Sequence, residues 1–230
     1  MIFDEQEARE YDNFFSTKIG AFVDEVETQL AFKLFQPEKG TRVLDAGCGT
    51  GNFSFKLAQK GCKVIGVDIS RPMLEKAREK LEKLSENLDV EFKRADVLNL
   101  DFPEAYFDHV FSMATIEFIS DDKKPKFIRE LLRVVKPGGK VLVGTITKDS
   151  EWGEMYQKQG QSENSVFADA EFTTPENLNQ IESDNLVASE ECLFISPTAE
   201  GEDISREREK KLAQKKRGGF FCSLWQKPRT

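Results

Sequence analysis

Three glycines within five residues form the strongest chemical signal in the chain. Gly47, Gly49 and Gly51 directly follow the apolar run at residues 42–46. Glycine tolerates positive φ angles and has no side chain, so such a turn lets a ligand lie against the backbone. In open α/β sheets, ligands bind outside the carboxyl ends of strands. The spacing predicts a ligand-binding turn; the alternative is a tight turn without a ligand.

A carboxylate ends the next apolar run, at residues 63–68. This residue, Asp68, lies 21 positions beyond Gly47. A carboxylate at that place can accept hydrogen bonds from both hydroxyls of a ribose. It could instead cap the helix that is predicted to begin after Ser70. On the first interpretation the ligand is a nucleoside.

The details of the turn disfavour a nicotinamide dinucleotide. That class of cofactor is bound by G-x-G-x-x-G/A, whereas here the sixth position is Asn52 and the extra glycine, Gly51, precedes it. Asp45 also puts negative charge near the place that a diphosphate would take. No phosphate loop of the form G-x-x-x-x-G-K-[ST] is present. These features favour a ligand that carries an amine.

The segments that must position this turn alternate between two patterns. Short apolar runs predict strands at residues 42–46, 63–68, 90–95, 107–113 and 140–147. Amphipathic stretches predict helices at residues 52–60, 70–84 and 123–135. Pro137-Gly138-Gly139 is expected to end the last helix and turn the chain into the final strand of this series. The alternation predicts a doubly wound α/β fold with parallel strands and helices on both faces of the sheet.

The remaining segments are expected to surround this core. Residues 4–35 have one apolar helical face, with a break near residues 16–20, and two final strands are predicted at 186–194 and 219–225. We predict a single domain. Its four parts would be an N-terminal helical cap at 1–36, a cofactor-binding core at 37–147, a substrate-side insertion at 148–185, and a C-terminal strand pair with a charged connecting helix at 186–230.

The composition excludes several kinds of protein. The 230 residues include 33 Lys and Arg against 41 Asp and Glu, a net charge of −8, with one His. The acidic balance argues against a nucleic-acid partner, because phosphate binding depends on Lys and Arg. The four cysteines form no C-x-x-C pair, so no metal site is predicted. The oligomeric state is left open.

The chain also lacks the patterns of membrane insertion and export. No apolar run approaches the roughly 18 residues that a membrane span needs. Residues 1–11 are acidic, whereas a secretory signal would be basic and then apolar. We therefore expect a cytoplasmic protein without a membrane span.

Five motifs, in order, resemble those of the class I S-adenosylmethionine-dependent methyltransferases. The resemblance covers roughly residues 10–147 and is similar in style to the ubiquinone and menaquinone biosynthesis branch, which acts on small molecules. It implies a Rossmann-like sheet of seven strands, completed by an antiparallel C-terminal strand pair. The motifs are Asp45-Ala46-Gly47-Cys48-Gly49-Thr50-Gly51, Gly66-Val67-Asp68-Ile69-Ser70 with Met73-Leu74, Ala95-Asp96, Phe107-Asp108, and Arg133-Val134-Val135-Lys136-Pro137-Gly138-Gly139.

The resemblance also implies the binding of S-adenosyl-L-methionine, with S-adenosyl-L-homocysteine as product. Gly47 and Gly49 would face the methionine part and Asp45 its amine. Asp68 would accept from the ribose hydroxyls, and Asp96 from the adenine amino group. The full set of implied cofactor contacts is Tyr11, Asp45, Gly47, Gly49, Asp68, Ile69, Met73, Asp96, Val97 and Ala114.

Methyl transfer from a sulfonium is an in-line displacement, so the protein must chiefly align the two reactants and exclude water. A base is needed only for a poorly ionised acceptor. Glu117, three residues past Ala114 where the fourth strand ends, is the candidate for that role; the alternative is a solvated carboxylate in a loop. Aromatic rings near the sulfonium could stabilise its charge or simply pack between cap and sheet. The expected substrate-pocket residues are Phe14, Thr115, Glu117, Trp152 and Tyr156.

Signatures of two nucleic-acid methyltransferase types are missing. After the fourth strand the chain has Ser112-Met113-Ala114-Thr115 in place of [ND]-P-P-[YF], and no cysteine follows a proline. We therefore predict methyl transfer to a small organic acceptor. The alternatives are a non-catalytic S-adenosylmethionine-binding sensor or interaction protein, and a protein or RNA methyltransferase.

Charges are segregated near the C-terminal end. Residues 159–205 contain eleven acidic side chains and no Lys or Arg, whereas residues 206–217 contain seven basic side chains and two acidic ones. The simplest interpretation is a solvated helix beside an acidic neighbour. The alternative is a docking surface for an anionic partner.

Overall fold

Seven strands form one sheet in the computed structural model, which describes residues 3–162 and 165–229. The strands are β1 Arg42–Ala46, β2 Lys63–Asp68, β3 Val90–Arg94, β4 Phe107–Met113, β5 Val135–Ile146, β6 Leu186–Cys192 and β7 Phe220–Gln226. Their order across the sheet is β3-β2-β1-β4-β5-β7-β6. The pairs among β1 to β5 are parallel, and β7 is antiparallel to both β5 and β6. The predicted fold class is confirmed.

Helices cover both faces of this sheet. Alternate residues of β1 and β4 point to opposite faces, as in any strand, so Val43 and Phe111 join one hydrophobic cluster while Leu44 and Val110 join another. Helices α2, α3 and α6 contribute to the first cluster, and α5 and α7 contribute to the second. The helices in the described residues are α1 Glu5–Glu10, α2 Lys18–Phe35, α3 Asn52–Gln59, α4 Arg71–Lys83, α5 Lys124–Val134, α6 Glu151–Gln159, α7 Pro175–Leu178 and α8 Arg206–Leu212.

The N-terminal helical segment is broken, as predicted, but the break begins earlier than residues 16–20. A 3-10 helix, Tyr11–Ser16, separates α1 from α2. Thr17 caps α2 by accepting a hydrogen bond from the Gly20 amide at 3.0 Å. A methyl group on Gly20 would lie 1.9 Å from the Phe14 carbonyl oxygen, so glycine permits the close approach of the two segments. The break lets α1 and the 3-10 helix fold back over the sheet edge.

Two elements differ from the sequence prediction. β5 begins at Val135, so Pro137-Gly138-Gly139 lies inside the strand and is not a turn. The reason is a tertiary partner: the Gly138 amide donates to the Lys227 carbonyl at 2.8 Å, and the Lys227 amide donates to the Gly139 carbonyl at 2.9 Å. The second difference is α6, which no sequence pattern predicted.

The basic segment 206–217 lies against the acidic region, as the simplest interpretation proposed. Arg217 forms ion pairs with Asp149 at 3.0 Å, with Glu191 at 2.9 Å and with Glu176. Arg206 pairs with Glu25 of α2 at 2.9 Å. Much of the positive charge is therefore neutralised within the chain.

Within residues 3–162 and 165–229, none of the helices combines the length and the apolar character required for a transmembrane segment.

Candidate active site

The glycine turn after β1 has the backbone that its residues predict. Gly47, Gly49 and Gly51 have φ angles of 76°, 52° and 83°, all in the region that side chains disfavour. A Cβ on Gly47 would lie 2.2 Å from Thr115 Oγ1, so this glycine also lets the turn pack against the segment after β4. No described atom lies within 4 Å of a Cβ built on Gly49, so the backbone edge there is open to a ligand.

Asp68 joins the glycine turn to the start of α4. Its Oδ2 accepts from the Gly49 amide at 2.9 Å, and its Oδ1 accepts from the Ser70 amide at 2.8 Å. Burial raises the pKa of Asp68, and these two backbone donors oppose that rise. Each carboxylate oxygen has two lone pairs, so capacity remains for a pair of hydroxyl donors. The cap of α4 is Ser70, whose Oγ accepts from the Met73 amide at 3.3 Å, so Asp68 supports the cap residue and does not cap the helix itself. Ribose binding by Asp68 stays a prediction.

Asp45 is a buried acid directly before the turn. Only 2% of it is exposed, and its Oδ2 accepts a hydrogen bond of 2.6 Å from Ser54 Oγ on α3. Loss of solvation raises the pKa of Asp45 to about 7. A nearby ammonium group would favour the ionised form, so the predicted contact with a ligand amine is chemically consistent.

The other predicted cofactor contacts lie along the same edge, where β1 to β4 end. Asp96 follows β3, is exposed, and accepts from the Leu98 amide at 2.8 Å. Ala114 follows β4 with a φ of 50°. Met73 is buried in the first turn of α4, Ile69 is 42% exposed, and Val97 is half-buried. Parallel strand ends share one edge, which is why these residues from distant motifs come together.

The N-terminal segment closes over this edge. The Phe3 carbonyl accepts from Ser70 Oγ at 2.7 Å, and the Phe3 ring meets those of Tyr11 and Phe118 edge-on, with ring centroids 6.1 and 5.3 Å apart. Tyr11, a predicted cofactor contact, thus lies half-buried beside the turn.

Asp12 anchors this cover to the glycine turn. Its Oδ1 accepts from Thr50 Oγ1 at 2.9 Å and from Asn52 Nδ2 at 3.1 Å, and its Oδ2 pairs with Lys80 Nζ at 2.8 Å. Sequence reasoning missed Asp12 and Lys80 as site residues. Their 68-residue separation leaves no local signal for the pair.

Glu117, the candidate base, is not in a solvated loop. It lies in the 3-10 helix Ile116–Phe118 and is 1% exposed, so that alternative is wrong. Its Oε2 accepts from Thr145 Oγ1 of β5 at 3.0 Å, while Oε1 has no hydrogen-bond partner among the described residues. Burial raises the pKa of Glu117 to about 7. The segment that covers it is held by a 2.7 Å bond from the Glu171 amide to the Glu117 carbonyl.

Aromatic rings from the insertion line the region around Glu117. The Phe167 ring lies 4.6 Å from Tyr156 and 6.0 Å from Phe118, centroid to centroid. Tyr156 is half-buried and interacts electrostatically with Glu117. Trp152 is 2% exposed and its indole N–H donates to the Ile195 carbonyl at 2.8 Å, so only its ring is available for other contacts.

Two other residues that are predicted to line the substrate pocket lie closer to the turn. Thr115 Oγ1 lies 3.2 Å from the Gly47 carbonyl oxygen and 3.1 Å from that of Met113, so it ties the end of β4 to the glycine turn. Phe14 is half-buried, packs edge-on against Phe15 and contacts the first hydrophobic cluster. Their contact with an acceptor stays a prediction.

Glu27 of α2 is a site residue that sequence reasoning missed. It is half-buried and interacts electrostatically with Glu117, Tyr11 and Tyr156. Its pKa is raised well above the usual range by loss of solvation and by Asp24 and Glu117. A signal existed: Glu27 lies four residues after Val23 and three before Leu30, on the apolar face of the helix.

Comparisons with known proteins agree with this geometry. A family profile described as a methyltransferase domain matches residues 43–139. A protein of Methanocaldococcus jannaschii is 33% identical over 177 residues, which are 77% of this chain and 76% of that protein. Residues 43–139 therefore form a methyltransferase domain, and the fold is that of S-adenosylmethionine-dependent methyltransferases.

Other relatives of this chain are similar over a part of their length. Phosphoethanolamine N-methyltransferase 1 of Arabidopsis thaliana is 36% identical over 146 residues, 58% of this chain and 29% of that enzyme. The chain thus spans less than a third of that relative. A solved structure from Thermotoga maritima, described as a possible histamine N-methyltransferase, covers 97% of both chains with a TM-score of 0.70 and 24% identity, which shows the shared fold.

The residues at the edge fit S-adenosylmethionine. Asp68 retains acceptor capacity, the backbone at Gly49 is open, and Asp45 offers a buried carboxylate beside them. Among residues 3–162 and 165–229, no group of three or more His, Cys, Asp and Glu side chains is arranged to hold a metal ion.

Proposed function

We propose that this methyltransferase moves a methyl group from S-adenosylmethionine to a small-molecule acceptor. The observation that carries the proposal is Glu117: a buried carboxylate with one free oxygen stands just beyond the glycine turn, under the N-terminal cover and the insertion. A site enclosed by these segments suits a compact acceptor. The phosphoethanolamine enzyme named above is a relative whose acceptor is a small molecule.

The bound cofactor would supply an electrophilic methyl group on a sulfonium sulfur. In the proposed arrangement, Asp68 holds the ribose, Asp96 the adenine, and the Gly47–Gly49 backbone with Asp45 the methionine part. Residues Phe14, Thr115, Glu117, Trp152 and Tyr156 would border the acceptor. Alignment and exclusion of water are the main contributions that such a transfer requires from the protein.

We also propose the four-part division of the domain at residues 36, 147 and 185 as a division of labour. The core would bind the cofactor, while the cap and the insertion would select the acceptor. Tyr11 from the cap and Tyr156 from the insertion both lie near Glu117, which supports this division.

Calorimetry with S-adenosylmethionine tests the cofactor assignment. Asp68→Ala should weaken binding by about tenfold or more, because hydrogen bonds to a charged group contribute about 1.5–3 kcal/mol. Asp89→Ala, which changes an exposed carboxylate near the start of β3, is the matched control. Equal affinity in the Asp68 variant and the control would contradict the assignment.

Transfer of labelled methyl groups tests the acceptor class. The enzyme is incubated with methyl-labelled S-adenosylmethionine and a metabolite extract, and labelled products are separated by size. Labelled metabolites are expected. Label found only in RNA or protein would overturn the small-molecule assignment, and cofactor binding without any labelled product would favour a sensor.

A further inference from the structure

Two carboxylates and two tyrosines meet where the acceptor is proposed to bind. Glu117 follows β4, Glu27 comes from α2, Tyr11 from the N-terminal 3-10 helix and Tyr156 from α6. Each tyrosine interacts electrostatically with both glutamates, and Glu27 interacts with Glu117. Ring contacts agree with this grouping: Tyr11 is linked through Phe3, and Tyr156 through Phe167, to Phe118, the residue after Glu117.

This cluster adjoins the proposed methyl-donor side. Glu117 is two residues beyond Thr115, whose hydroxyl lies 3.2 Å from the Gly47 carbonyl oxygen. The Tyr11 ring contacts the Phe3 ring, and the Phe3 carbonyl accepts a hydrogen bond from Ser70 at the start of α4. A ligand held by the cluster would therefore lie beside the cofactor edge.

The two carboxylates lack a cationic partner. In the part of the chain that the structure describes, no Lys or Arg side chain forms an ion pair with Glu27 or Glu117. The lysines that interact electrostatically with these two carboxylates already have other partners. Lys56 pairs with Asp24 and donates to Thr28 Oγ1, and Lys124 pairs with Asp121. Buried carboxylates without counter-charges are costly, and such groups are usually paired or coordinate a ligand.

The free oxygen of Glu117 is the second, independent sign of a ligand. Oε1 is inaccessible to solvent and has no hydrogen-bond partner among the described residues, while Oε2 is held at 3.0 Å by Thr145. An unsatisfied buried acceptor of this kind costs about 1–3 kcal/mol. A donor on a bound molecule would satisfy it.

We infer that the acceptor is a primary or secondary amine, which binds as an ammonium ion between Glu27 and Glu117. This inference rests on the proposed function and specifies its substrate class. The ammonium N–H groups donate to the free oxygen of Glu117 and to Glu27. An anionic acceptor, such as a carboxylate or a phenolate, has no N–H donor for these oxygens and would oppose the ionised form of both groups.

The transfer step balances with these groups. An ammonium nitrogen has no free electron pair, so one proton must first move to the Glu117 carboxylate. The freed pair then forms the new N–C bond to the methyl carbon, the C–S bond breaks, and its electrons remain on sulfur as a neutral thioether. The product is an N-methylated ammonium ion. Glu117 suits the proton transfer, because its pKa of about 7 lies near neutral pH.

The first test is the atom that receives the methyl group. Labelled products from the metabolite extract are analysed by tandem mass spectrometry. A methyl group on nitrogen supports the inference. A methyl group on oxygen, sulfur or carbon overturns the inference and leaves the proposed function intact. Cofactor binding with no labelled product at all overturns both.

The second test uses Glu27→Gln and Glu117→Gln, with Glu82→Gln as a control at an exposed position of α4. For the methylated amine, each site variant should lower kcat/KM by about tenfold or more, since each removes one charged hydrogen-bond acceptor. Glu27→Gln should act mainly through KM, and Glu117→Gln through both kcat and KM. The control should match the unmodified enzyme.

Binding of S-adenosyl-L-homocysteine separates the two possible occupants of the cluster. If Glu27 and Glu117 hold the acceptor, the dissociation constant of S-adenosyl-L-homocysteine stays unchanged in both variants. If the carboxylates instead serve the cofactor, S-adenosylmethionine affinity falls by the same factor as kcat/KM, and the inference is overturned. Unchanged kcat/KM in both variants would overturn it as well.

Discussion

Burial sets the pKa values of two acidic residues at the ligand edge. Asp45 and Glu117 are 2% and 1% exposed, and loss of solvation raises the pKa of each to about 7. Ser54 and Thr145 each donate one hydrogen bond to these acids, which offsets only a part of the cost. Perturbed acids in a cleft are typical of functional sites, and here they lie on the two sides of the proposed transfer.

The stability of the protein should depend on pH through Glu117. A carboxyl group with a raised folded-state pKa binds its proton more tightly in the folded protein. Its stabilisation is present below about pH 4.5 and is lost as the pH rises through about 7. Urea unfolding measures the fall in the free energy of unfolding across that window. The fall should be smaller for Glu117→Gln than for the unmodified protein, by roughly 3 kcal/mol.

The neighbours of Glu117 define the control for this measurement. Glu27, Tyr11, Tyr156 and Lys124 all interact electrostatically with it. These groups remain in the Glu117→Gln variant, so a smaller fall with pH should persist. Glu82→Gln, which changes an exposed carboxylate of α4, should reproduce the behaviour of the unmodified protein. An identical slope in Glu117→Gln and the unmodified protein would contradict the assigned burial effect.

The N-terminal segment is held over the glycine turn by one side chain. The 3-10 helix Tyr11–Ser16 lies over the glycine turn because Asp12 gathers three donors, from Thr50, Asn52 and Lys80. These partners belong to the turn and to helices α3 and α4, so the contact holds the N-terminal segment to all three. A cofactor that lies at this edge would be covered by the segment.

We expect Asp12→Ala to loosen this cover. Loss of a charged acceptor with three donors should raise the opening frequency of residues 3–17 by about tenfold or more, since such bonds contribute about 1.5–3 kcal/mol. Hydrogen exchange would measure the opening, and stopped-flow dissociation of S-adenosyl-L-homocysteine should become faster. Glu5→Ala, which removes an exposed pair with Arg9, is the control. Equal exchange in both variants would count against the anchoring role.

For the whole molecule, one arginine connects three distant regions. Arg217 reaches Asp149 before α6, Glu176 in α7 and Glu191 in β6. Its guanidinium lowers the pKa of Glu176 to about 2. The insertion at 148–185, which carries Tyr156, is thereby held to the C-terminal strand pair. The charge segregation in the sequence reflects this internal pairing.

Arg217→Gln should weaken that connection. We expect a loss of about 1–2 kcal/mol in the free energy of unfolding, because one half-buried arginine serves three carboxylates. Exchange of backbone amides should increase in residues 149–162 and 165–178 more than in β1. Lys215→Gln, an exposed change in the same basic segment, should do neither. High salt should reduce the difference between the two variants.

The sequence predicted the central strands because their signals are local. The runs of β1, β2 and β4 alternate with helical patterns, and the predicted bounds of these three strands match the observed ones. β5 was predicted to begin later, because Pro137-Gly138-Gly139 is typical of a turn. In the structure Gly138 and Gly139 bond to Lys227, a partner nearly ninety positions away. Helix α6 was missed although Trp152 and Tyr156 have helical spacing, since the rest of that stretch is polar.

The sequence by itself determined the cofactor edge, and only the tertiary structure decided the acceptor side. The glycine turn, Asp68 and Asp96 end consecutive strands, and parallel topology brings such ends to one edge without further information. Glu27, Glu117, Tyr11 and Tyr156 come from separate elements, and their meeting depends on how the cap and the insertion pack. Whether a carboxylate is solvated or buried without a counter-charge is a property of that packing, so the sequence could name Glu117 but not its state.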